Sequence, residues 1–239
     1  MIIDLHSHVL PGMDDGSPDA ASSLAMLQKQ AEQGVEAVCA TSHYYAEDNS
    51  IAVFCERRAA AMERLTAAGI EGLPRVIPAA ETAFFSGISS CPGLERLCIQ
   101  GTRTLMLEMP FMEWSDFQLE EVAALVLDRG YQVVLVHPER FCAAGSNRKK
   151  LRQLGELPLA MQINARTLLR WNTRRLGLEL LREAACPLLA SDSHDLTHRP
   201  PNLEEGRRVL LQKAGAELLT RIDQNAARLI QPAAEKVMS

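Results

Sequence analysis

Two residue patterns in this 239-residue chain are suited to hydrolytic chemistry, and they imply different reactions. The first is Cys142-x-x-Gly145-x-x-Arg148 in "VHPERFCAAGSNRKK". It matches a phosphate-cradling loop in which a thiolate attacks and an arginine holds the phosphoryl oxygens. The second is a set of histidines and carboxylates. His6 and His8 in "DLHSHVLPGMDDGS" are two residues apart, so both imidazoles point to one side of an extended strand and can clasp one divalent ion. Asp14 and Asp15 follow on a glycine-flanked turn, one as a ligand candidate and the other as a turn residue, with Asp14 favoured for the turn. "CATSH" delivers His43, "PAAE" Glu81, "LMLEMP" Glu108, "VVLVH" His137, and "LLASDSH" both Asp192 and His194. A lone carboxylate within an apolar run, as at Glu108, is costly to bury unless paired or metal-bound. Mixed nitrogen and oxygen ligands suit zinc, manganese or iron. These nine candidates exceed the need of one ion, so two or three divalent metals are expected, with Glu81 available as a bridge.

Short strands must position these groups. "MIIDLH", "EAVCATSH", "RVIPAAET", "TLMLEMP", "QVVLVH", "LAMQIN" and "CPLLASDSH" are brief, apolar and separated by helix-sized stretches, as in a parallel barrel or sheet. Five of the six histidines end such a run, on the face where parallel α/β barrels build their sites. The sixth, His198, precedes Arg199-Pro200-Pro201 and reads as a loop residue. Ser17 is expected to cap a helix with Pro18 in its first turn, running to about Gln33 and ended by Gly34. Ser115 or Asp116 should cap another that Gly130 closes. Residues 166–184 read as helical with a break near Trp171, and the chain from Asn202 onward as helical throughout.

Seven strand-helix units without repeat or linker imply one α/β domain over residues 1–239. The net charge of −5 argues against nucleic acid as a partner. No apolar run approaches the roughly 18 residues of a membrane span, and the N-terminus lacks the basic and apolar regions of a leader. The six cysteines have no metal-knuckle spacing and read as reduced, packed thiols. A cytoplasmic protein that is not membrane-inserted is expected, with its oligomeric state open.

In order along the chain, "DLHSHVLPGMDDGS", "TSHYY", "AAE", "LEMPF", "HPER" and "SDSH…RPP" resemble the PHP (polymerase and histidinol phosphatase) superfamily. Within it they resemble the bacterial tyrosine-protein phosphatases of capsule and exopolysaccharide systems. The resemblance covers Asp4 to Pro201 and implies a distorted (β/α)7 barrel with a trinuclear site, manganese favoured over iron or zinc. It implies His6, His8, Glu81 and Asp192 at the first metal, Glu81, Glu108 and His137 at the second, and Asp15, His43 and His194 at the third. It also implies Arg140 at the phosphate and Arg199 as a second arginine near it; on chemical grounds His43 or His194 is a proton-donor candidate where it is not fully committed to metal. The partner it implies is the phosphotyrosine tail of a bacterial tyrosine kinase that controls polysaccharide export.

The chemistry is consistent with such a site. Divalent ions lower the pKa of bound water from about 15.7 toward about 7, supplying metal-bound hydroxide at neutral pH. Arginines grip the remaining phosphoryl oxygens. A phenolate, with a conjugate acid of pKa about 10, leaves with little acid assistance. Three other readings stay open on the residues alone: a cysteine-dependent phosphatase using Cys142 and Arg148, a phosphatase for a small ester such as histidinol phosphate, and a non-enzymatic metal-bound regulatory protein. Against the first, Pro138 to Phe141 separate Cys142 from the strand end. The basic run Arg148, Lys149, Lys150 and Arg152 reads as a solvated helix face, with a docking surface for an acidic or phosphorylated tail as the alternative.

Overall fold

In a computed structural model, which describes residues 1–142 and 144–232, strands and helices alternate around a ring of parallel strands. The strands are β1 (Ile2–Ser7), β2 (Val35–Ala40), β3 (His43–Tyr44), β4 (Arg75–Pro78), β5 (Glu81–Ala83), β6 (Thr104–Glu108), β7 (Gln132–Val136), β8 (Ala160–Asn164) and β9 (Cys186–Ala190). The helices are α1 (Ala20–Glu32), α2 (Ile51–Ala67), α3 (Asp116–Leu127), α4 (Asn147–Leu154), α5 (Ala165–Leu169), α6 (Trp171–Glu183), α7 (Leu203–Ala214) and α8 (Ala216–Leu229). Hydrogen-bonded neighbours run β1-β2-β4 and β3-β5-β6-β7-β8-β9.

Two of the seven expected strands are each divided. The expected strand ending at His43 is β2 and β3, and the one ending at Thr82 is β4 and β5. Backbone bonds cross the breaks: Ala79 N donates to Ala40 O at 3.0 Å and Glu81 N to Ser42 O at 3.0 Å. The pieces therefore act as two strand units, which leaves seven around the ring. Its last seam, between β9 and β1, is an isolated bridge rather than a ladder, with Asp192 N donating to His6 O and His8 N to Ser193 O, each at 2.8 Å. This is the distorted (β/α)7 form.

Alternation along the strands sorts the side chains. Val38, Leu105, Leu107, Val133, Leu135, Met161 and Ile163 face the helices, in a cluster shared with Leu27, Leu65, Leu125 and Leu181. The intervening residues form a separate inner cluster. Inside, four strand units start apolar and end polar on the same face: Ile77 and Ala79 lead to Glu81, Met106 to Glu108, Ala160 to Gln162, and Leu188 and Ala190 to Asp192. The apolar floor is completed by Ala226, Leu229 and Ile230 from the end of the chain. The first strand departs from this rule. Leu5 belongs to the inner cluster, yet its neighbour His6 meets inner residues too. The register shift between Asp4 and Ser7 accounts for this, since a bulge re-aims the residues after it.

The helix boundaries differ from expectation in two places, at the start of α1 and at Gly215 in the stretch from Asn202 expected to be helical throughout. Asp19, not Ser17, caps α1, its side chain accepting from Ser22 N at 2.8 Å. Ser17 is held outside the helix because its backbone pairs with Gly12 N and His8 O in the loop after β1. Gly34, at φ +76°, ends that helix, and Ser115 caps α3 in a reciprocal pair with Gln118. The break near Trp171 falls at the extended Arg170. The C-terminal helical stretch is interrupted at Gly215, φ +90°, and residues 233–239 lie outside the described residues. Among the described residues no helix is long and apolar enough to cross a membrane.

Leu188 is fully buried on the inner floor, whereas Trp171 is 86% exposed. Leu188→Ala should lower unfolding free energy by about 2–5 kcal/mol and Trp171→Ala by less than about 0.5 kcal/mol. Urea unfolding followed by circular dichroism checks both; equal midpoint shifts would place the inner cluster elsewhere.

Candidate metal centre

All nine ligand candidates converge above that floor. Glu81 lies at the centre and is fully buried. Its Oε2 is 3.1 Å from His6 Nε2, 3.2 Å from His8 Nε2 and 3.1 Å from His43 Nδ1, while Oε1 is 2.7 Å from His137 Nε2. His137 Nε2 also lies 3.7 Å from Glu108. Asp192 Oδ1 is 3.5 Å from His6 Nε2, 3.6 Å from His8 Nε2 and 3.7 Å from His194 Nδ1. Asp15, the one exposed member, reaches His43 Nε2 at 3.6 Å and His194 Nε2 at 3.4 Å. Three groups result: His6, His8 and Glu81; His43, Glu81 and Glu108; and His8, Asp15, His43 and His194.

The orientation of the two leading histidines follows from a chain of hydrogen bonds. Asp192, as a carboxylate, only accepts, so Asn164 Nδ2 donates to its Oδ2 at 2.7 Å. Asn164 Oδ1 then accepts from Gln162 Nε2 at 2.8 Å, which leaves Gln162 Oε1 to accept from His6 Nδ1 at 2.8 Å. His8 Nδ1 likewise donates to Asp14 Oδ2 at 2.8 Å. With both Nδ1 atoms committed as donors, the two Nε2 atoms face each other at 3.2 Å. Neutral imidazoles would present two lone pairs there, beside Glu81 Oε2. Such an arrangement requires positive charge between the atoms, either protons or a metal ion.

The donor set fits a metal. Two ligand atoms about 2.1 Å from one ion at tetrahedral or right angles are about 3.0–3.4 Å apart, close to the spacings found here. His43 Nδ1, Glu81 Oε2, Asp192 Oδ1 and His194 Nε2 are buried without a well-formed hydrogen bond among the described residues. Each such orphan ordinarily costs about 1–3 kcal/mol.

Proton affinities reflect the same crowding. Burial pushes His6 down, but the charges of Glu81 and Asp192 outweigh it and raise it to about 9. Burial likewise opposes protonation of His8, which the hydrogen bond to Asp14 and then Glu81 raise to about 10. Burial and the neighbouring His8 lower His194 to about 3. Burial opposes ionisation of Glu81 and Asp192, yet the surrounding histidines, His6 first, hold both below the usual carboxylate range. Burial and then the Glu81 charge raise Glu108.

Backbone strain marks two of these positions. His137 at φ +33° and Asp192 at φ +54° are, among the described residues, the only non-glycine residues with positive φ. Each follows a strand and is turned back into the cluster, a conformation that the surrounding contacts must enforce. Asp14 does close the turn, its Oδ1 accepting from Gly16 N at 3.0 Å, and it also orients His8 and accepts from His43 N at 2.8 Å. Gly16 lies so close to β1 that a Cβ there would stand 2.3 Å from His8 O. Gln162 and Asn164 are site residues that motif reading missed. Their signal is the polar alternation in "LAMQIN", on the face that Ala160 starts.

Arg199 donates to Asp192 Oδ2 at 2.7 Å, and Arg140, exposed, lies with its guanidinium 4.8 Å from the centre of the Phe111 ring. His198 is on an exposed loop. The cysteine pattern does not form an anion cradle. Cys142 Sγ donates to Pro138 O at 3.3 Å, burial raises the thiol to about 11, and Arg148 is engaged by Glu179 at 2.5 Å. Position 143 of that pattern lies outside the described residues. Within the basic run, Lys150 bonds Trp114 O and faces Asp116 at 3.5 Å.

A family model for capsular polysaccharide synthesis, CpsB/CapC, matches residues 2–231. The chain belongs to the CpsB/CapC family. Its relatives include the tyrosine-protein phosphatase YwqE of Bacillus subtilis, 29% identical over 237 residues, covering 96% of this chain and 92% of YwqE. The tyrosine-protein phosphatase CpsB of Streptococcus pneumoniae is 25% identical over 234 residues, covering 90% and 92%. A solved structure from the pair YwqE and CpsB, described as unique metal-dependent tyrosine phosphatases, superposes with a TM-score of 0.84 at 27% identity, over 98% of this chain and 96% of that one. The lactonase Lmo2620 of Listeria monocytogenes, at 10% identity and TM-score 0.60 over 98% and 95%, shares the fold alone. Membership in the CpsB/CapC family agrees with the resemblance drawn from the motifs.

The raised His6 and His8 give a pH prediction. With no ion bound, both hold protons at pH 7, and metal binding requires both imidazoles neutral. Loading Mn²⁺ at pH 7 should therefore release about two protons, and affinity should climb with pH until it levels above about 10. The ion-free fold behaves oppositely: these two groups stabilise it fully below about 6.5, and that contribution fades as pH rises through about 9 to 10. Calorimetry in buffers of different ionisation enthalpy reads the proton count; zero release would refute the assigned protonation.

Proposed function

We propose that this CpsB/CapC-family chain is a metal-dependent protein-tyrosine phosphatase, a phosphoric monoester hydrolase acting on phosphotyrosine. The observation that carries the reading is the facing pair His6 Nε2 and His8 Nε2 at 3.2 Å around Glu81, whose outer nitrogens are already committed. Family membership and the likeness to YwqE and CpsB support the substrate class. His6, His8, Glu81 and Asp192 would hold one ion, Glu81, Glu108 and His137 a second, and Asp15, His43 and His194 a third; manganese is favoured. His8 also approaches the third group and His43 the second, so either could serve in two of the groups.

When bound, such ions lower the pKa of coordinated water and offset phosphoryl charge. The chain's residues do the rest. Gln162 and Asp14 keep the Nδ1 protons of His6 and His8 outside the cluster, so both Nε2 atoms point inward. Arg199, anchored by Asp192, and Arg140, braced on Phe111, flank the cluster as grips for phosphoryl oxygens. The lowered His194 is unprotonated at neutral pH, which supports a ligand role over proton donation there. A phenolate needs little such donation. The substrate we favour is the phosphorylated tail of a bacterial tyrosine kinase in capsule or exopolysaccharide synthesis, met in the cytoplasm.

Steady-state kinetics on a phosphotyrosine peptide, a phosphoserine peptide and histidinol phosphate, each with Mn²⁺, test the reading. The phosphotyrosine peptide should be hydrolysed best, Arg140→Ala should lower its kcat/KM about 100-fold, and Cys142→Ser should stay within about twofold of the parent. Preference for histidinol phosphate would redirect the substrate, and an inactive Cys142→Ser would restore thiolate catalysis.

A further inference from the structure

A cavity of about 390 Å³ adjoins the cluster, with Arg140, Asp192 and Arg199 in its wall. That volume lies within the roughly 300–1,000 Å³ of small-ligand sites and exceeds what a single phosphoryl group requires. The same wall includes Arg166 on α5 and Arg170 at the junction of α5 with α6. These two come from the helical layer rather than from a strand end, and the phosphatase reading gives them no task.

Their charges are uncompensated. Arg199 is paired with Asp192. Arg140, Arg166 and Arg170 have no carboxylate within ion-pair distance among the described residues. The cavity's other acid, Glu139, has its Oε1 accepting from Asn164 N at 2.9 Å and from Thr167 Oγ1 at 2.9 Å, and its Oε2 is buried without a partner, so neither oxygen pairs with these arginines among the described residues. Arg166 is steadied by a bond to His198 O at 2.9 Å, which leaves the rest of its guanidinium fork available. Arg166, Arg170 and Arg199 line the same cavity wall, and burial, then Arg170 and Arg199, make Arg166 a weaker base than usual against the opposing pull of Asp195 and Asp192. Three unpaired guanidinium groups gathered on one concave surface repel one another unless an anion enters. Planar forks of this kind favour oxyanions held by paired hydrogen bonds.

We infer that Arg166 and Arg170 form a second oxyanion subsite, which takes another anionic group of the same peptide while its phosphotyrosine occupies the cluster. The group is a phosphoryl ester or a carboxylate close in sequence to the scissile phosphotyrosine. The subsite determines specificity and does not touch the reacting atoms. This inference rests on the phosphatase reading above.

The test uses the Mn²⁺-loaded full chain and phosphotyrosine peptides that differ at flanking positions on either side: neutral Gln, acidic Glu, or a non-hydrolysable phosphonate analogue of phosphotyrosine. At the best position the anionic peptides should exceed the neutral one in kcat/KM by roughly tenfold, mainly through KM, with the phosphonate ahead of Glu. Phosphonate ahead of Glu points to a second phosphoryl group as the natural occupant; Glu level with it points to an acidic residue. Arg166→Gln/Arg170→Gln should bring the anionic-to-neutral ratio toward one, and Arg166→Lys/Arg170→Lys should keep part of it. Because the readout is a ratio within one variant, a general loss of fold does not imitate it. Equal kcat/KM for neutral and anionic peptides in the parent, or an undiminished ratio in the Gln double variant, would overturn the subsite while leaving the phosphatase reading intact. No hydrolysis of any phosphotyrosine peptide would overturn both.

Discussion

Glu81 Oε2, His6 Nε2, His8 Nε2 and His43 Nδ1 face one another across about 3 Å of buried space, and electron pairs so placed repel unless positive charge lies among them. Every unusual feature of the upper barrel serves that crowding. The amide chain from Asp192 through Asn164 and Gln162 fixes the His6 tautomer, and Asp14 fixes that of His8. Neither histidine can relieve the contact by turning its donor inward without breaking a buried hydrogen bond. Protons satisfy the cluster when no ion is bound, which is why His6 and His8 are raised despite complete burial.

The fold supplies these positions by departing from regular strands where the chemistry begins. Below, alternation gives an apolar floor from Ile77, Met106, Val134 and Leu188. Above, β1 shifts register before His6, two strand units break before His43 and Glu81, and His137 and Asp192 take left-handed backbone angles. A stiff lower barrel carries a locally irregular rim, and the rigid part holds the strained part in place. The arginines come from outside this ring, Arg140 from the turn after β7 and Arg199 from the loop after β9.

Much of this was legible in the sequence because an ionisable residue ending an apolar run has few cheap explanations. His6, His43, Glu81, Glu108, His137 and Asp192 all announced themselves that way, and all converge. Gln162 and Asn164 did not, since amides carry no charge and "LAMQIN" reads as an ordinary strand. The breaks within β2/β3 and β4/β5 were hidden because only small residues that a strand also accepts, Thr41-Ser42 and Ala79-Ala80, run through them. Ser17 looked like a helix cap, and only long-range backbone bonds to the β1 loop displace that role to Asp19. The cysteine pattern had the opposite fault. Its spacing was right, but a half-buried thiol bonded to Pro138 O and an arginine held by Glu179 are both engaged away from any anion.

Elemental analysis of protein loaded with Mn²⁺ and desalted, combined with phosphotyrosine hydrolysis on the same samples, tests the centre most directly. Two or three ions per chain are expected in the parent, and Glu81→Ala should lose ions and hydrolysis together, because Glu81 touches four of the histidines. Full hydrolysis by parent protein carrying far less than one ion per chain would contradict it.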